Sequence, residues 1–164
     1  NFNLLPKVID EVGFNMEEDF VMFPDAGAEK RYSKMIFQNV IIGEKERDFA
    51  TGKIKGLNLR INGGGSGAKV IIVDDLSSYG GTFIHSAKAL REAGFDDVYL
   101  LVAHAENSIF KVSPWSTTGE QLFDFVDGVF TTNSLLTEPE NEDVKKEFGK
   151  KLRVYDIEGV LKNG

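Results

Sequence analysis

Two neighbouring acids followed by small residues form the segment of this 164-residue sequence best suited to chemistry. Asp74 and Asp75 come directly after the apolar run Val70–Val73, and two serines and two glycines lie within Ser77–Thr82. Buried acids need a cationic or hydroxylated partner, and a sugar diol with hydrated Mg²⁺ supplies both. Small residues let backbone N–H groups converge on a phosphate, and a helix starting near Thr82 would add its positive end. The segment predicts a ribose-phosphate cradle, although an ordinary strand–turn–helix with solvent-facing acids fits it too.

The elements that must position this segment alternate between strands and helices. Apolar runs predict seven strands, and Val70–Val73 should be the central one because it is the richest in β-branched residues. The predicted strands are Phe20–Phe23, Val40–Ile42, Ile54–Ile61, Val70–Val73, Val98–Ala103, Gly128–Thr132 and Leu152–Tyr155. The predicted helices are Leu4–Val12, about 28–37, Thr82–Gly94 with Thr82 as its cap, Glu120–Phe125 and Glu142–Phe148. This order predicts a single α/β domain with a mainly parallel central sheet flanked by helices on both faces.

Polar and glycine-rich stretches predict the connections. Residues 43–53 are polar, with charges of both signs, and are expected to form a long exposed loop. Residues 62–67 are expected to form a turn, with a hairpin signal between the flanking strands. The same stretch nearly spells a dinucleotide-binding fingerprint, but a strand follows it where a helix is required. His85 and His104 lack partners at metal-ligand spacing, so a helix-surface or strand-end position is expected for each.

Composition excludes several classes of function. Lys and Arg total 19 against 26 Asp and Glu, a formal net charge of −7, which argues against a nucleic-acid or anionic-membrane partner. The sequence has no cysteine, so thiolate metal sites and cysteine nucleophiles are excluded. Its apolar runs are shorter than the roughly 18 residues of a membrane span, and no secretory signal is recognisable, so we expect a cytoplasmic location. The start at Asn1 suggests a piece of a longer chain.

Val70–Thr82 resembles the phosphoribosyl diphosphate (PRPP) signature of type I phosphoribosyltransferases. Other segments narrow the resemblance to the ribose-phosphate pyrophosphokinases, also called PRPP synthetases, and to their C-terminal half. Phe23–Arg31 is similar to that family's Pro-Asp-x-Gly segment, and Glu44–Arg47 is similar to the Lys-x-Arg of its mobile catalytic loop. A softer similarity runs from Val102–His104 to Val154–Ile157. The resemblance implies one phosphoribosyltransferase-like domain over residues 1–164, the C-terminal half of a longer enzyme.

This family transfers the diphosphate of ATP to the anomeric hydroxyl of ribose 5-phosphate, forming PRPP and AMP. The resemblance implies that Asp74 holds the ribose hydroxyls with the support of Asp75, and that Asp25 and Asp74 bind Mg²⁺. It also implies that Lys45 and Arg47 are catalytic, on a loop that closes over the reacting phosphorus. The polar sequence from Glu44 to Lys53 predicts that this loop is disordered without ligand. The implied ribose-phosphate-binding residues are completed by Ser77, Ser78, Tyr79, Gly80, Gly81 and Thr82.

Departures from the family affect what this chain is expected to do alone. Ser78-Tyr79 stands where the family usually has Asp-Thr, so Tyr79 would add bulk inside the phosphate loop and change substrate preference. The family's ATP site also draws on an N-terminal half and a neighbouring subunit. We therefore expect a homo-oligomeric parent enzyme, and a fragment that binds ribose 5-phosphate or PRPP weakly. Two alternatives stay open: a phosphoribosyltransferase that joins PRPP to a nucleobase, and a non-catalytic regulatory module.

Overall fold

The fold is described from a computed structural model of the chain. The described residues are 4–25, 27, 30, 37–52, 54–65, 67–114, 116, 118–137 and 142–156. The helix predicted at about 28–37 lies outside this set, apart from residues 30 and 37. None of the helices in the described ranges has the length and hydropathy needed to span a bilayer.

The described residues form one seven-stranded sheet. Its strands are β1 (Phe20–Phe23), β2 (Val40–Arg47), β3 (Ile54–Asn62), β4 (Lys69–Ser77), β5 (Asp97–Ala105), β6 (Gly128–Thr132) and β7 (Leu152–Tyr155). Their order across the sheet is β3-β2-β1-β4-β5-β6-β7. The edge strand β3 runs antiparallel to β2, and the other neighbouring strands are parallel. The predicted mainly parallel sheet, with the β-branched strand at its centre, is confirmed.

Helices cover both faces of the sheet, as predicted. They are α1 (Leu4–Val12), α2 (Gly81–Glu92) and α3 (Glu142–Phe148), with short 3₁₀ helices at Asn107–Phe110 and Leu122–Asp124. Because side chains alternate along a strand, β4 contributes to two separate cores. Val70 and Ile72 pack in the core that contains the apolar face of α2. Ile71 and Val73 pack in the other core, with α1. Burial of both faces explains why β4 reads as a continuous apolar run.

The strand order reverses between β1 and β4, at the centre of the sheet. After β1 the chain builds β2 and β3 on one side, and it then crosses to β4 on the other side of β1. Ligands of open α/β sheets bind in the crevice outside the carboxyl ends of the strands at such a switch point. Asp25 follows β1 by two residues and Asp74 lies near the end of β4. The fold therefore brings two predicted site residues to this crevice.

Two strands extend further than predicted. β4 continues through Ser77 because Asp74 and Ser77 pair with Val102 and Ala105 of β5, so the loop expected from Asp74 onward is wrong. β2 likewise continues to Arg47 by pairing with β3. Residues 43–47 of the predicted loop are thus part of one strand of a hairpin, and the chain leaves that strand only after Arg47. Polar side chains join the two strands: Asn58 Nδ2 donates to Glu46 Oε1 at 2.6 Å.

Three local predictions are corrected by tertiary contacts. The stretch at 62–67 is not a hairpin turn, because β3 pairs with β2 and not with β4. It crosses the amino ends of the central strands instead, where Gly65 N donates to Asn39 Oδ1 at 3.0 Å. The N-cap of α2 is Gly80 rather than Thr82. The helix expected at Glu120–Phe125 is a 3₁₀ turn at Leu122–Asp124.

Candidate functional site

A small cavity of about 150 Å³ lies at the carboxyl ends of the central strands. We call it the strand-end cavity. Most of the residues predicted from sequence line it together: Asp25, Lys45, Asp74, Ser77, Ser78, Gly80, Gly81 and Thr82. These residues come from three strand ends and from the start of α2, over more than fifty positions of sequence. The fold thus assembles a polar site with both carboxylates and a cation.

Lys45 reaches the cavity from β2, because the short strand β1 ends at Phe23 and leaves room beyond it. Lys45 pairs with Leu57 of β3, and Leu57 packs on the α2 side of the sheet. Asp74 follows Val70 and Ile72 in the alternation of β4, so it faces the same side. Lys45 and Asp74 are therefore on one face of the sheet, either side of the space beyond β1.

The two neighbouring aspartates are not equivalent. Asp74 lines the strand-end cavity, and its Oδ1 accepts a hydrogen bond of 2.8 Å from the backbone N–H of Asp75. Asp75 is next in the strand, so its side chain points to the opposite face of the sheet. Both residues are half-buried. The geometry makes Asp74 the primary carboxylate of the cavity, with the main chain of Asp75 orienting it.

The loop from Ser77 to Thr82 is held in place from both sides. The Ser77 side chain is buried, and its carbonyl accepts a hydrogen bond of 2.9 Å from Glu106 N, in the segment after β5. Gly80 is left-handed, with φ 83°, and a Cβ there would lie 2.9 Å from Leu122 Cδ2. A side chain at this position would therefore be strained and would clash. The sequence places glycine where the chain must turn tightly into α2.

The beginning of α2 supplies donors to the cavity. Gly81 and Thr82, its first two residues, line the cavity, and the Gly80 cap makes no side-chain hydrogen bond to the helix. The first N–H groups of a helix have no partner within the helix and carry its positive end. Such a terminus favours an anion, and the cavity is large enough for one phosphate group.

Arg47 and Tyr79 lie outside the strand-end cavity. Arg47 is the last residue of β2, beyond a bulge, and its Nη1 donates to the carbonyl of Gly52 at 3.0 Å across the hairpin tip. Tyr79 lines a neighbouring groove, so the expected bulk inside the phosphate loop is directed elsewhere. Both cations lie on β2, in the hairpin with β3, where a loop was expected.

The donor set fits a hydrated Mg²⁺ ion. Asp25 and Asp74 both line the cavity. Magnesium usually keeps several waters and takes one or two carboxylates together with substrate phosphates. Among the described residues there is no group of three or more His, Asp or Glu side chains that could hold a metal. A metal at this site would therefore be shared with a phosphorylated ligand rather than caged by protein.

Sequence reasoning missed two residues of the cavity wall, Leu76 and Phe83. Leu76 is 51% exposed although it is a large apolar residue in the central strand, and Phe83 is buried under the first turn of α2. The apolar run that predicts the central strand ends at Val73, so Leu76 lies outside the predicted strand. The sequence signal that could have indicated its position is a leucine between two polar residues, Asp75 and Ser77.

The chain is similar in sequence to several curated proteins. A ribose-phosphate pyrophosphokinase from Sulfurisphaera tokodaii is 37% identical over 107 residues, which cover 62% of this chain and 35% of that protein. An orotate phosphoribosyltransferase from Pyrococcus horikoshii is 30% identical over 105 residues, covering 60% of this chain and 54% of that protein. No protein-family model matches the chain.

A solved structure extends the similarity to almost the whole chain. The crystal structure of phosphoribosylpyrophosphate synthetase from Mycobacterium smegmatis matches 98% of this chain and 48% of its own, with a TM-score of 0.60 and 26% identity. The chain spans about a third of the first pyrophosphokinase and about half of this synthetase. The resemblance to ribose-phosphate pyrophosphokinases is confirmed: the chain is homologous to part of proteins of that name, and its fold matches that of a phosphoribosylpyrophosphate synthetase.

Proposed function

We propose that this domain binds ribose 5-phosphate and PRPP and contributes to diphosphate transfer from ATP, as the C-terminal half of a ribose-phosphate pyrophosphokinase. The observation that carries the proposal is that Asp25, Lys45, Asp74 and the start of α2 line one cavity. Their chemistry matches the three parts of the substrate, since carboxylates accept hydroxyl hydrogen bonds, helix amides bind phosphate and a lysine offsets negative charge. The homology to pyrophosphokinases supports the same assignment.

In this proposal the 5-phosphate sits on the N–H groups of Gly81 and Thr82, with the Ser78 hydroxyl as a further donor. Asp74 accepts hydrogen bonds from the ribose hydroxyls and so fixes the sugar ring. The anomeric oxygen then attacks the β-phosphorus of ATP, the bond to the α-phosphate oxygen breaks, and AMP leaves. Positioning of this kind and cations aimed at developing charge are what phosphoryl transfer chiefly requires.

The remaining roles are to offset the negative charge of the phosphates and to hold the metal ion. Lys45 lies on the same face as Asp74 and would offset the negative charge of the transferred diphosphate. Arg47 would act as a second cation from the same hairpin, after releasing the carbonyl of Gly52. Asp25 and Asp74 would hold Mg²⁺, which would supply positive charge to offset the negative charge of the phosphates. The ATP contacts would come from an N-terminal half and a neighbouring subunit, so the isolated domain should bind its sugar phosphate but turn over poorly.

A second candidate function is a phosphoribosyltransferase that uses PRPP to glycosylate a nucleobase. The similarity to an orotate phosphoribosyltransferase, of which the chain covers 54%, supports this second candidate. Both candidates use the same PRPP cradle and differ in the second substrate. An assay of the full-length parent protein separates them: AMP formed from ATP and ribose 5-phosphate supports the pyrophosphokinase, and pyrophosphate released from PRPP only when a base is added supports the transferase.

A further inference from the structure

His104, in β5, lies beside the strand-end cavity and takes no part in the proposed binding of the sugar phosphate. Leu76 lines the cavity and pairs with His104 where β4 and β5 run side by side. His104 follows Val102 by two residues, and Val102 pairs with Asp74 and packs in the α2 core. Because side chains alternate along a strand, His104 lies on the same face of the sheet as Asp74. His104 is exposed, so an ionisable ring is accessible next to the carboxylate of the cavity.

The ring of His104 is held by the segment after β6. Its Nδ1 lies 2.6 Å from Ser134 Oγ, within hydrogen-bond distance. Ser134 is itself tied back to β5, because its N–H donates to Thr132 Oγ1 at 3.3 Å and the Thr132 hydroxyl donates to the carbonyl of Ala103 at 2.6 Å. Thr132 is buried, so this anchor belongs to the core of the domain. These bonds fix the ring through Nδ1 and leave Nε2, on the other side of the ring, for a ligand.

A histidine held through Nδ1 is suited to accept a proton at Nε2. When Nδ1–H donates to Ser134 Oγ, the lone pair of Nε2 is free to accept. Histidine is the side chain most often used for proton transfer in active sites, and the hydrogen bond of one ring nitrogen sets the role of the other. The proposed reaction needs such a group, because the anomeric hydroxyl must lose its proton as its oxygen attacks the β-phosphorus.

The spacing between Asp74 and His104 fits a ribose. Two residues along β4 and one step across to β5 separate their Cα atoms by about 8 Å, at about 3.3 Å per residue and about 4.8 Å between strands. Side chains on one face stand roughly perpendicular to the sheet, so the carboxylate and Nε2 are similarly separated. Two hydrogen bonds of about 2.8 Å leave about 2.5 Å, close to the separation of hydroxyl oxygens on adjacent sugar carbons. A ribose whose 2-hydroxyl binds Asp74 would therefore bring its anomeric hydroxyl to Nε2.

We propose that His104 is the general base of the diphosphate transfer. Its Nε2 takes the proton of the anomeric hydroxyl while the anomeric oxygen bonds to the β-phosphorus of ATP and the bond from that phosphorus to the α-phosphate oxygen breaks. AMP leaves with the electron pair of the broken bond, and the proton then passes from Nε2 to water. Ser134 is a positioning residue that acts through His104. This inference rests on the proposed function, because it needs the ribose on Asp74 and ATP as the second substrate.

The kinetics of AMP formation by the full-length parent protein test the proposal. His104→Ala should lower kcat by about a hundredfold or more, the usual contribution of a general base, while KM for ribose 5-phosphate stays within about tenfold. Added imidazole should restore part of the lost kcat, because it can accept the proton in place of the missing ring. Ser134→Ala should lower kcat by a smaller factor. His85→Ala is the matched control, since His85 is the other histidine of the chain and lies on α2, and it should keep kcat within about twofold.

A second variant and a binding measurement separate a catalytic role from a structural one. His104→Asn keeps a side-chain donor for Ser134 but has no basic nitrogen, so it should lose kcat as His104→Ala does. Circular dichroism melting checks that both variants fold. Calorimetry of this chain with ribose 5-phosphate and Mg²⁺ should give both variants an affinity within about tenfold of the wild type, because only one hydrogen bond to the sugar is lost.

The outcomes distinguish this inference from the proposed function. If the wild-type parent forms AMP and His104→Ala keeps kcat within about threefold, the general base is overturned and the proposed function stands. A loss that falls on KM alone, or a His104→Asn variant as active as the wild type, also overturns it, because the ring would then hold the substrate or the fold without taking the proton. If the wild-type parent forms no AMP and does not bind ribose 5-phosphate, the proposed function fails and the general base fails with it.

Discussion

Lys45 and Asp74 line the same cavity although a whole strand, β1, lies between the strands that carry them. The arrangement depends on β1 being only four residues long, so that β2 and β4 both extend beyond it. Gly43 makes this extension possible, since a Cβ there would lie 2.7 Å from the carbonyl oxygen of Pro24. A cation and a carboxylate are thereby held on one face with room for a ligand between them.

The two aspartates should respond differently to the same substitution. Asp74→Asn removes the charge from the cavity and should weaken ribose 5-phosphate binding by about ten- to a hundredfold, since a hydrogen bond to a charged group contributes about 1.5–3 kcal/mol. Asp75→Asn is the matched control and should cost less than about threefold, because its side chain faces away. Calorimetry in the presence of Mg²⁺ measures both. Equal losses for the two variants would contradict the assigned orientation.

Replacing each of the two cations of the hairpin should have different effects on PRPP affinity. Lys45→Ala should lower PRPP affinity at least about tenfold, because a lysine close to several phosphate charges loses its electrostatic contribution. Arg47→Ala should leave PRPP affinity within about threefold and act on turnover in the complete enzyme instead. Fluorescence or calorimetric binding curves on each variant give the comparison. If Arg47→Ala weakened PRPP binding more than Lys45→Ala does, the assignment of Lys45 as the cation of the cavity would be contradicted.

Glycine substitutions test the phosphate loop through stability. Gly80→Ala should destabilise the fold by about 2 kcal/mol, which combines left-handed strain of about 1–2 kcal/mol with the contact to Leu122. Gly52 also has a positive φ, of 69°, but open space around it, so Gly52→Ala should destabilise the fold only by the backbone strain. Gly81→Ala should change stability by less than about 0.5 kcal/mol, because Gly81 has open space around it and is the first residue of α2 rather than an interior one. Urea unfolding ranks the three, and a neutral Gly80→Ala would refute the tight turn.

Tyr155 provides a pH-dependent test of the core around α1. Burial, with a smaller contribution from Glu11, raises the pKa of Tyr155 to about 12 from its ordinary 10.0. A raised pKa means that the folded state holds the phenol proton more tightly than the unfolded state does. This contribution to stability is complete below pH 10 and is lost between about pH 10 and 12. Burial also raises the pKa of Tyr99, so ultraviolet titration of tyrosinate is compared between the wild type and Tyr155→Phe. The wild type should show a late-ionising group that the variant lacks, and a normal midpoint for the group lost in the variant contradicts the burial of Tyr155.

The order of elements could be predicted from sequence because it depends on local patterns. The four β-branched residues Val70–Val73 indicated the central strand, and the spacing of Leu5 and Val8 indicated a helix on one face. Several residues that line the strand-end cavity could also be indicated, since acids after an apolar run, followed by glycines, form a local sequence pattern. These features are properties of short segments, and the structure keeps them.

What could not be predicted depends on partners distant in sequence. The polar half of β2 is a strand only because β3 pairs with it, and Asp74–Ser77 extends β4 only because β5 lies alongside. Neither extension has an apolar pattern of its own. The different orientations of Asp74 and Asp75 follow from that extension, because residues in a strand alternate and residues in a loop need not. Tyr79 lies beyond the end of β4 and lines a neighbouring groove rather than the strand-end cavity.

The most direct test of the account is calorimetry of the wild-type chain with ribose 5-phosphate, with and without Mg²⁺. The account predicts saturable binding of one sugar phosphate per chain, strengthened by Mg²⁺ and lost in Asp74→Asn, while inorganic phosphate binds more weakly because it lacks the hydroxyls. A folded wild-type protein that gives no binding heat with ribose 5-phosphate or PRPP, or binding unaffected by Asp74→Asn, would contradict it.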